Sequence, residues 1–172
     1  MNLPKSFYVF LCICFISCIG LSPRETSDSN QSKSSRLSVS QMQCLVKNMI
    51  HEAGNQSDKG KLAVAAVTLN RVNAVGFPST ICGVVYEKVG GMHQFSWTAF
   101  KKEPKIDPKV YAKTYDLAHQ LVYNQIDSPI GPDVTYYHAA YMSSSNKNVR
   151  WFKRTLIKVA TIGDHIFYRG RT

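Results

Sequence analysis

The segment Ser38-Val-Ser-Gln-Met-Gln-Cys44-Leu-Val-Lys-Asn-Met-Ile-His-Glu52-Ala-Gly54 decides how this chain folds. Ser38 and Gln41 stand at capping-box spacing, and Val39, Met42, Leu45, Val46, Met49, Ile50 and Ala53 follow at helical intervals. The pattern predicts a helix with one apolar face, ended by Gly54. A second helix follows, capped by Ser57 or Asp58 and running from Lys59 to about Val72 through Leu62-Ala-Val-Ala-Ala-Val67. Its small residues Ala63, Ala65 and Ala66 let another helix approach closely, so it is expected to be the buried central helix.

Further along, Pro78 suits the first turn of a short helix reaching Val85 and Tyr86. Asp107-Pro108 opens a long helix with Val110, Thr114, Leu117, Ala118 and Leu121 on one face. The period then changes. Val134-Thr-Tyr-Tyr-His138 reads as a strand, and residues 156–162 and 165–169 read as two more, joined by a Gly163-Asp164 turn. The expected fold class is α+β: a mainly helical domain with a small antiparallel sheet toward the C-terminus.

The N-terminal residues are of another kind. Lys5 precedes an uncharged run from Phe7 to Leu21, 15 residues that fit the apolar region of an export signal and fall short of the roughly 20 needed to span a bilayer. Cys18 and Gly20 supply small residues for cleavage. Alternatively, Cys18 is the lipid-modified residue of a lipoprotein, or the run stays as an uncleaved anchor. Ser22 to Ser38 is polar and serine-rich, and cannot bury enough surface to offset its ordering entropy. The division expected is an export signal over residues 1–20, a linker over 21–37 and one folded domain over 38–172. The protein is then periplasmic or extracellular, with attachment to the membrane through the signal or a lipid. Three of the five Cys lie in the leader; Cys44 and Cys82 remain. An even pair in an exported domain is most simply a disulfide, two separate buried thiols being the other reading.

A length of 172 residues without internal repeats points to one domain and excludes solenoids and propellers; a monomer is expected. The net charge is +10, and from Cys44 onward 17 basic side chains face 9 acidic ones, which calls for an anionic partner. Nucleic acid is not expected, because the export signal argues against it. The basic residues (Lys101-Lys102, Lys105, Lys109, Lys113, Lys153-Arg154) are also scattered instead of forming one arm.

Glu52 is the residue on which the chemistry is expected to rest. It borders the apolar face of the first helix and stands at that helix's C-terminal end, where the macrodipole disfavours an anion. Desolvation and dipole both push its carboxyl toward the protonated form that a general acid needs. A solvated helix-end Glu, paired with a Lys, is the competing reading. His51-Glu52-Ala-Gly-Asn55 begins like a zinc-protease helix but has Asn55 where the second His must stand, so that metal site fails. No ligand spacing links the other histidines and no glycine-rich phosphate loop is present; neither metal nor cofactor is expected. Phe95 and Trp97, Tyr136 and Tyr137, and Phe167 and Tyr168 lie on strand-like segments, where alternation would present some of them to a cleft. Core packing is the commoner fate of any one aromatic.

The stretch His51-Glu-Ala-Gly-Asn-Gln56, then Gly60-Lys-Leu-Ala-Val-Ala-Ala-Val-Thr-Leu-Asn-Arg71-Val72, is followed by Phe77-Pro-Ser-Thr-Ile-Cys82-Gly-Val-Val-Tyr86 and Gln94-Phe-Ser-Trp97. In this order and spacing the blocks resemble the SleB/CwlJ-type cell wall hydrolase family, over about Cys44 to Tyr168. The resemblance implies a lysozyme-like domain that cuts the glycan strands of peptidoglycan, with Glu52 as the catalytic acid. It further implies that Gln94, Phe95, Ser96, Tyr136, Tyr137 and His138 line the substrate cleft, and that residues 163–168 form the terminal hairpin. Many members of the family carry Gly-Glu where this chain has Asn55-Gln56, so a second acid is missing at that place.

That gap bears on mechanism. Glycoside hydrolysis ordinarily uses two carboxyls. Of the remaining acids, Asp58 and Asp107 read as helix caps, Asp164 as a turn residue, and Glu87, Glu103, Asp116, Asp127 and Asp133 as solvated. One acid suffices if the 6-hydroxyl of muramic acid attacks its own anomeric carbon. The favoured expectation is therefore a lytic transglycosylase giving 1,6-anhydro ends, ahead of a hydrolytic muramidase. Two readings of other classes stand beside it: an exported protein that grips peptidoglycan without cutting it, and a cysteine peptidase or amidase built on Cys44 and a histidine such as His138.

Overall fold

A computed structural model describes residues 37–171. The expectations for the export signal, the linker up to residue 36 and Cys18 lie outside the described residues. Among the described residues, five α-helices and five strands run in the order α1 (Val39–Ala53), α2 (Asp58–Asn73), α3 (Ile81–Val85), β1 (Lys88–Val89), β2 (Met92–His93), α4 (Pro108–Val122), β3 (Val134–Ala139), α5 (Lys147–Thr155), β4 (Leu156–Ile162) and β5 (His165–Gly170), with a 3₁₀ turn at Ser96–Ala99. The α+β class read from the sequence is the one observed.

The start of α1 is capped as its sequence demands, since the Ser38 hydroxyl accepts from the Gln41 N–H. The reciprocal half of the capping box is not made: Gln41 Oε1 accepts from the Cys82 N–H at 2.9 Å and ties α1 to α3. One face of α1 is sealed, with Leu45, Val46, Met49 and Ala53 fully buried. It packs on α2, which the sequence placed centrally: Ala63, Val64, Ala65 and Val67 have no exposed surface and Ala66 almost none. Ser57 caps α2 through the Gly60 N–H, while Asp58 pairs with Lys113 of α4 at 3.0 Å. A polar strut crosses this apolar interface. Asn48, fully buried on α1, donates to Thr68 Oγ1 at 3.2 Å and accepts from Trp97 Nε1 at 3.0 Å, so no member is left unpaired by its burial.

Cys44 and Cys82 form a disulfide between α1 and α3, with Cα atoms 5.3 Å apart. Closing a loop of 38 residues contributes about 4 kcal/mol in the chain-entropy picture. Cys44 therefore offers no free thiol, which removes the cysteine peptidase reading. Pro78 does not enter α3. Thr80 is the cap, its hydroxyl accepting from the Gly83 N–H at 3.0 Å, so the helix starts only at Ile81. In α4, Asp107 caps and Pro108 opens as expected, and Thr114, Ala118 and Leu121 are buried. Val110 is 42% exposed, because the first turn of α4 overhangs the core.

The C-terminal sheet is antiparallel with strand order β3-β5-β4. Gly163 (φ +54°) and Asp164 turn β4 into β5, and Tyr137 faces Phe167 in the β3–β5 register. Two elements were not foreseen. The β1–β2 pair closes around Gly90-Gly91, both at positive φ, as the tip of a small hairpin. Helix α5 is capped by Asn146, buries only Val149 and runs straight into β4.

Candidate active site

Segments far apart in sequence meet around a cleft of about 1000 Å³: the end of α1 and of α2, each with the loop after it, Glu87 and Val89, the Gln94–Ser96 segment, strand β3, and the β4–β5 turn, with α5 at the rim. Glu52 reaches it from the last turn of α1, half-buried beside the fully buried Ala53. Tyr137, on β3, donates its hydroxyl hydrogen to Glu52 Oε2 at 3.2 Å. Burial pushes the Glu52 carboxyl above its ordinary 4.5, and the Tyr137 hydrogen bond and the Arg71 charge only partly oppose it. The same burial, with the Glu52 charge beside it, holds Tyr137 well above its usual range, so the phenol remains a donor.

Arg71 on α2 forms the floor. It is 6% exposed, and Nε donates to the Thr135 carbonyl at 2.8 Å. Its guanidinium lies 5.3 Å from the Phe77 ring centre, 5.6 Å from that of Phe95 and 5.9 Å from that of Tyr136. Among the described residues no carboxylate pairs with it directly; three ring faces hold the cation instead. Burial lowers its pKa, opposed by the fields of Tyr137, Glu87, Tyr136 and Glu52. Arg71 was not singled out in the sequence: an Arg in the last turn of a helix reads as a solvated C-terminal charge.

All six residues expected at the cleft border it, in different ways. Gln94, Ser96, Tyr136 and Tyr137 present surface to it. Phe95, only 3% exposed, spends its ring on Arg71. His138 is committed on both nitrogens, Nδ1 to the Ala139 carbonyl at 2.8 Å and Nε2 to the Tyr168 hydroxyl at 3.0 Å. The remaining aromatics are core: Trp97, Phe167 and Tyr168 are buried. Trp151 on α5, which the sequence reading passed over, is 40% exposed at the rim and sits edge-on to Tyr136.

Two acids read from sequence as a solvated face and a turn also border the cleft, Glu87 and Asp164. Asp164 Oδ2 is taken up by the Gln56 amide at 2.9 Å. Of the three carboxyls in the cleft lining, Glu52 is bonded by Tyr137 and Asp164 by Gln56, while Glu87, half-buried just before β1, has no side-chain hydrogen bond among the described residues. Nothing in its local sequence signals this; only the fold brings it to the cleft. Among the described residues no group of three or more His, Cys, Asp or Glu is placed to hold a metal, and no helix is long and apolar enough to cross a membrane.

A profile of the family described as Cell Wall Hydrolase matches residues 55–168, a segment that opens just after Glu52. A spore cortex-lytic enzyme of Bacillus cereus is 28% identical over 130 residues, covering 76% of this chain and 44% of that protein. One from Bacillus subtilis is 30% identical over 117 residues, 67% of this chain and 33% of that protein. The chain thus spans less than half the length of these relatives. Among solved structures, the catalytic domain of the germination-specific lytic transglycosylase SleB from Bacillus anthracis superposes with a TM-score of 0.55 at 28% identity, over 78% of this chain and 98% of that domain. The catalytic domain of the Bacillus cereus SleB protein gives 0.54 at 25% identity, over 77% and 91%. The match over 55–168, with the fold shared with both SleB domains, places this chain in the cell wall hydrolase family.

Proposed function

We propose that this protein cuts the β-1,4 bond between N-acetylmuramic acid and N-acetylglucosamine in peptidoglycan, with Glu52 as general acid and then base. The observation that carries this reading is the state of Glu52: a half-buried carboxyl, raised above its ordinary value by burial, at the wall of a cleft that also holds Tyr137 and Arg71. A protonated Glu52 donates to the glycosidic oxygen as the bond to the anomeric carbon breaks. As carboxylate it next takes the proton of the 6-hydroxyl of the same muramic acid, which closes a 1,6-anhydro ring and returns Glu52 to its starting form. The attacking group is carried by the substrate, so one acid completes the cycle. Gln94, Ser96, Tyr136, Tyr137 and Trp151 would contact the sugars, and the basic surface would attract the anionic wall. Export to the periplasm or the cell exterior, with attachment through the N-terminal residues, fits that substrate.

Glu87 supports a second reading. A second carboxylate in the same cleft lining as Glu52 could activate water, and the product would then be hydrolytic. Digestion of purified sacculi with the protein and with its Glu52→Gln variant, followed by borohydride reduction and mass analysis, separates the outcomes. Non-reducible anhydro ends are expected from the transglycosylase. Reducible muramic acid ends indicate the muramidase, and equal release by the two proteins refutes the role of Glu52. Tight binding of sacculi with no release marks a non-catalytic wall-binding protein.

A further inference from the structure

We infer that Gln56 is a positioning residue, a latch that locks the β4–β5 turn onto the end of α1 and thereby fixes the hydrogen bond between Tyr137 and Glu52. The inference deepens the proposed function and rests on Glu52 as the acid.

The Gln56 side chain uses both ends of its amide on one residue 108 positions away. Oε1 accepts from the Asp164 backbone N–H at 3.0 Å, and Nε2 donates to Asp164 Oδ2 at 2.9 Å. Nε2 also reaches Asn55 Oδ1 at 3.0 Å. The Gln56 backbone is tied to the helix that carries Glu52, its N–H donating to the Ala53 carbonyl at 2.9 Å. On the far side, the Asp164 carbonyl accepts from the Ala140 N–H at 2.7 Å, which joins the turn to the end of β3. The next residue, His165, stands edge-on to Tyr137 with ring centres 5.1 Å apart, and Tyr137 donates to Glu52. The contacts therefore close a ring: Glu52, the α1 end, Gln56, Asp164, His165 and Tyr137. Gly163 leaves the room this needs. It sits at φ +54°, and a Cβ there would run into Gln56 Oε1.

The chemistry of the latch is selective. It requires one acceptor for an N–H and one donor for a carboxylate, which an amide supplies and a carboxylate does not. A Gln56→Glu side chain still accepts from the Asp164 N–H but sets its second oxygen against the Asp164 carboxylate. Adding Asp164→Asn restores the polarity, because the new amide donates to that oxygen, and Asn55 can rotate its own amide to donate as well.

The test is a double-mutant cycle on the full chain: wild type, Gln56→Glu, Asp164→Asn and the pair together, with Glu52→Gln beside them. Turnover and KM on sacculi are read across pH, with hydrogen exchange at the amide of residue 164 and thermal unfolding. With Asp164 present, Gln56→Glu is expected to lower turnover about 5- to 10-fold, the scale of one lost hydrogen bond with like charges opposed. KM should stay nearly level, the basic limb of the pH profile should move, and exchange at residue 164 should accelerate. In the Asp164→Asn background the same substitution is expected to cost less than about twofold and to keep the amide protected. An equal cost in both backgrounds overturns the latch, as does a Gln56→Glu protein that matches wild type in turnover and pH profile. If Gln56→Glu unfolds, recovery of the folded, active protein by Asp164→Asn supports the latch and failure to recover overturns it. Undiminished turnover of Glu52→Gln refutes the acid assignment and, with it, the catalytic part of the latch. Wild-type turnover by Gln56→Glu beside an inert Glu52→Gln refutes the latch alone.

Discussion

Tyr137 gives its phenolic hydrogen to Glu52 Oε2 at 3.2 Å, and this bond joins strand β3 to the last turn of α1 across 85 residues of chain. It is the direct link between the helical part of the domain and the sheet at the acid itself. It also works against burial, since it favours the charged carboxylate that burial penalises. Replacing Tyr137 by Phe removes the donor and keeps the ring. The Glu52 carboxyl should then titrate higher still, and the basic limb of the pH–rate profile should move to higher pH. Turnover should fall about 10-fold as the carboxyl loses its orientation. A pH–rate series on sacculi with the Tyr137→Phe variant checks both effects.

Glu52 also has a consequence for stability. A carboxyl whose folded pKa lies above its unfolded value binds more protons in the folded state between the two values. Stability from this group is therefore lost as pH rises from the unfolded value through the folded one. Glu52→Gln carries no such penalty. The variant should be the more stable protein at neutral pH, and its advantage should shrink below pH 4.5. Thermal unfolding of both proteins across about pH 3–8 measures the difference, which should be present while turnover is down by about 10²- to 10⁴-fold.

Trp151 offers an exposed indole at the rim of the cleft, braced by the edge contact with Tyr136. A sugar ring stacked on it would gain about 0.5–1.5 kcal/mol, the scale of aromatic contacts. Trp151→Ala is expected to raise KM for sacculi up to about 10-fold and to leave turnover within about twofold. Saturation kinetics on solubilised glycan strands check this.

The Cys44–Cys82 bond fastens the helix that bears Glu52 to α3. Substituting both cysteines by Ser should lower unfolding free energy by about 3–4 kcal/mol in urea titrations. Both sulfurs lie away from the cleft lining, so turnover at room temperature should persist.

The elements that sequence made legible are those with a strong period and a chemical punctuation mark. α1 shows both, in Leu45, Val46, Met49 and Ala53 after the Ser38 cap; so do α4 behind Asp107-Pro108 and the hairpin around Gly163-Asp164. α5 has the Asn146 cap but no strong period, since only Val149 is buried and its other residues are mostly charged or polar, so Lys147–Thr155 looks like loop. The site divides along the same line. Glu52 could be found because a carboxyl at a helix end beside an apolar stripe is a local anomaly. Arg71, Glu87 and Gln56 could not, because each is locally ordinary and becomes distinctive only through a partner far away: three rings for Arg71, the cleft for Glu87, Asp164 for Gln56. Asn48 is locally deceptive in the opposite sense. A polar residue on α1 suggests the solvent side, yet it is fully buried because Thr68 and Trp97 satisfy it.

The measurement that bears most directly on the whole account is the titration of Glu52 in the intact protein, followed by NMR of ¹³C-labelled glutamate carboxyls and assigned by the signal lost in Glu52→Gln. The midpoint is expected above the ordinary 4.5, with the proton retained into the range where the protein is active. A midpoint at or below 4.5 would mean that the group is ionised when it should be donating, and would contradict its role as the acid.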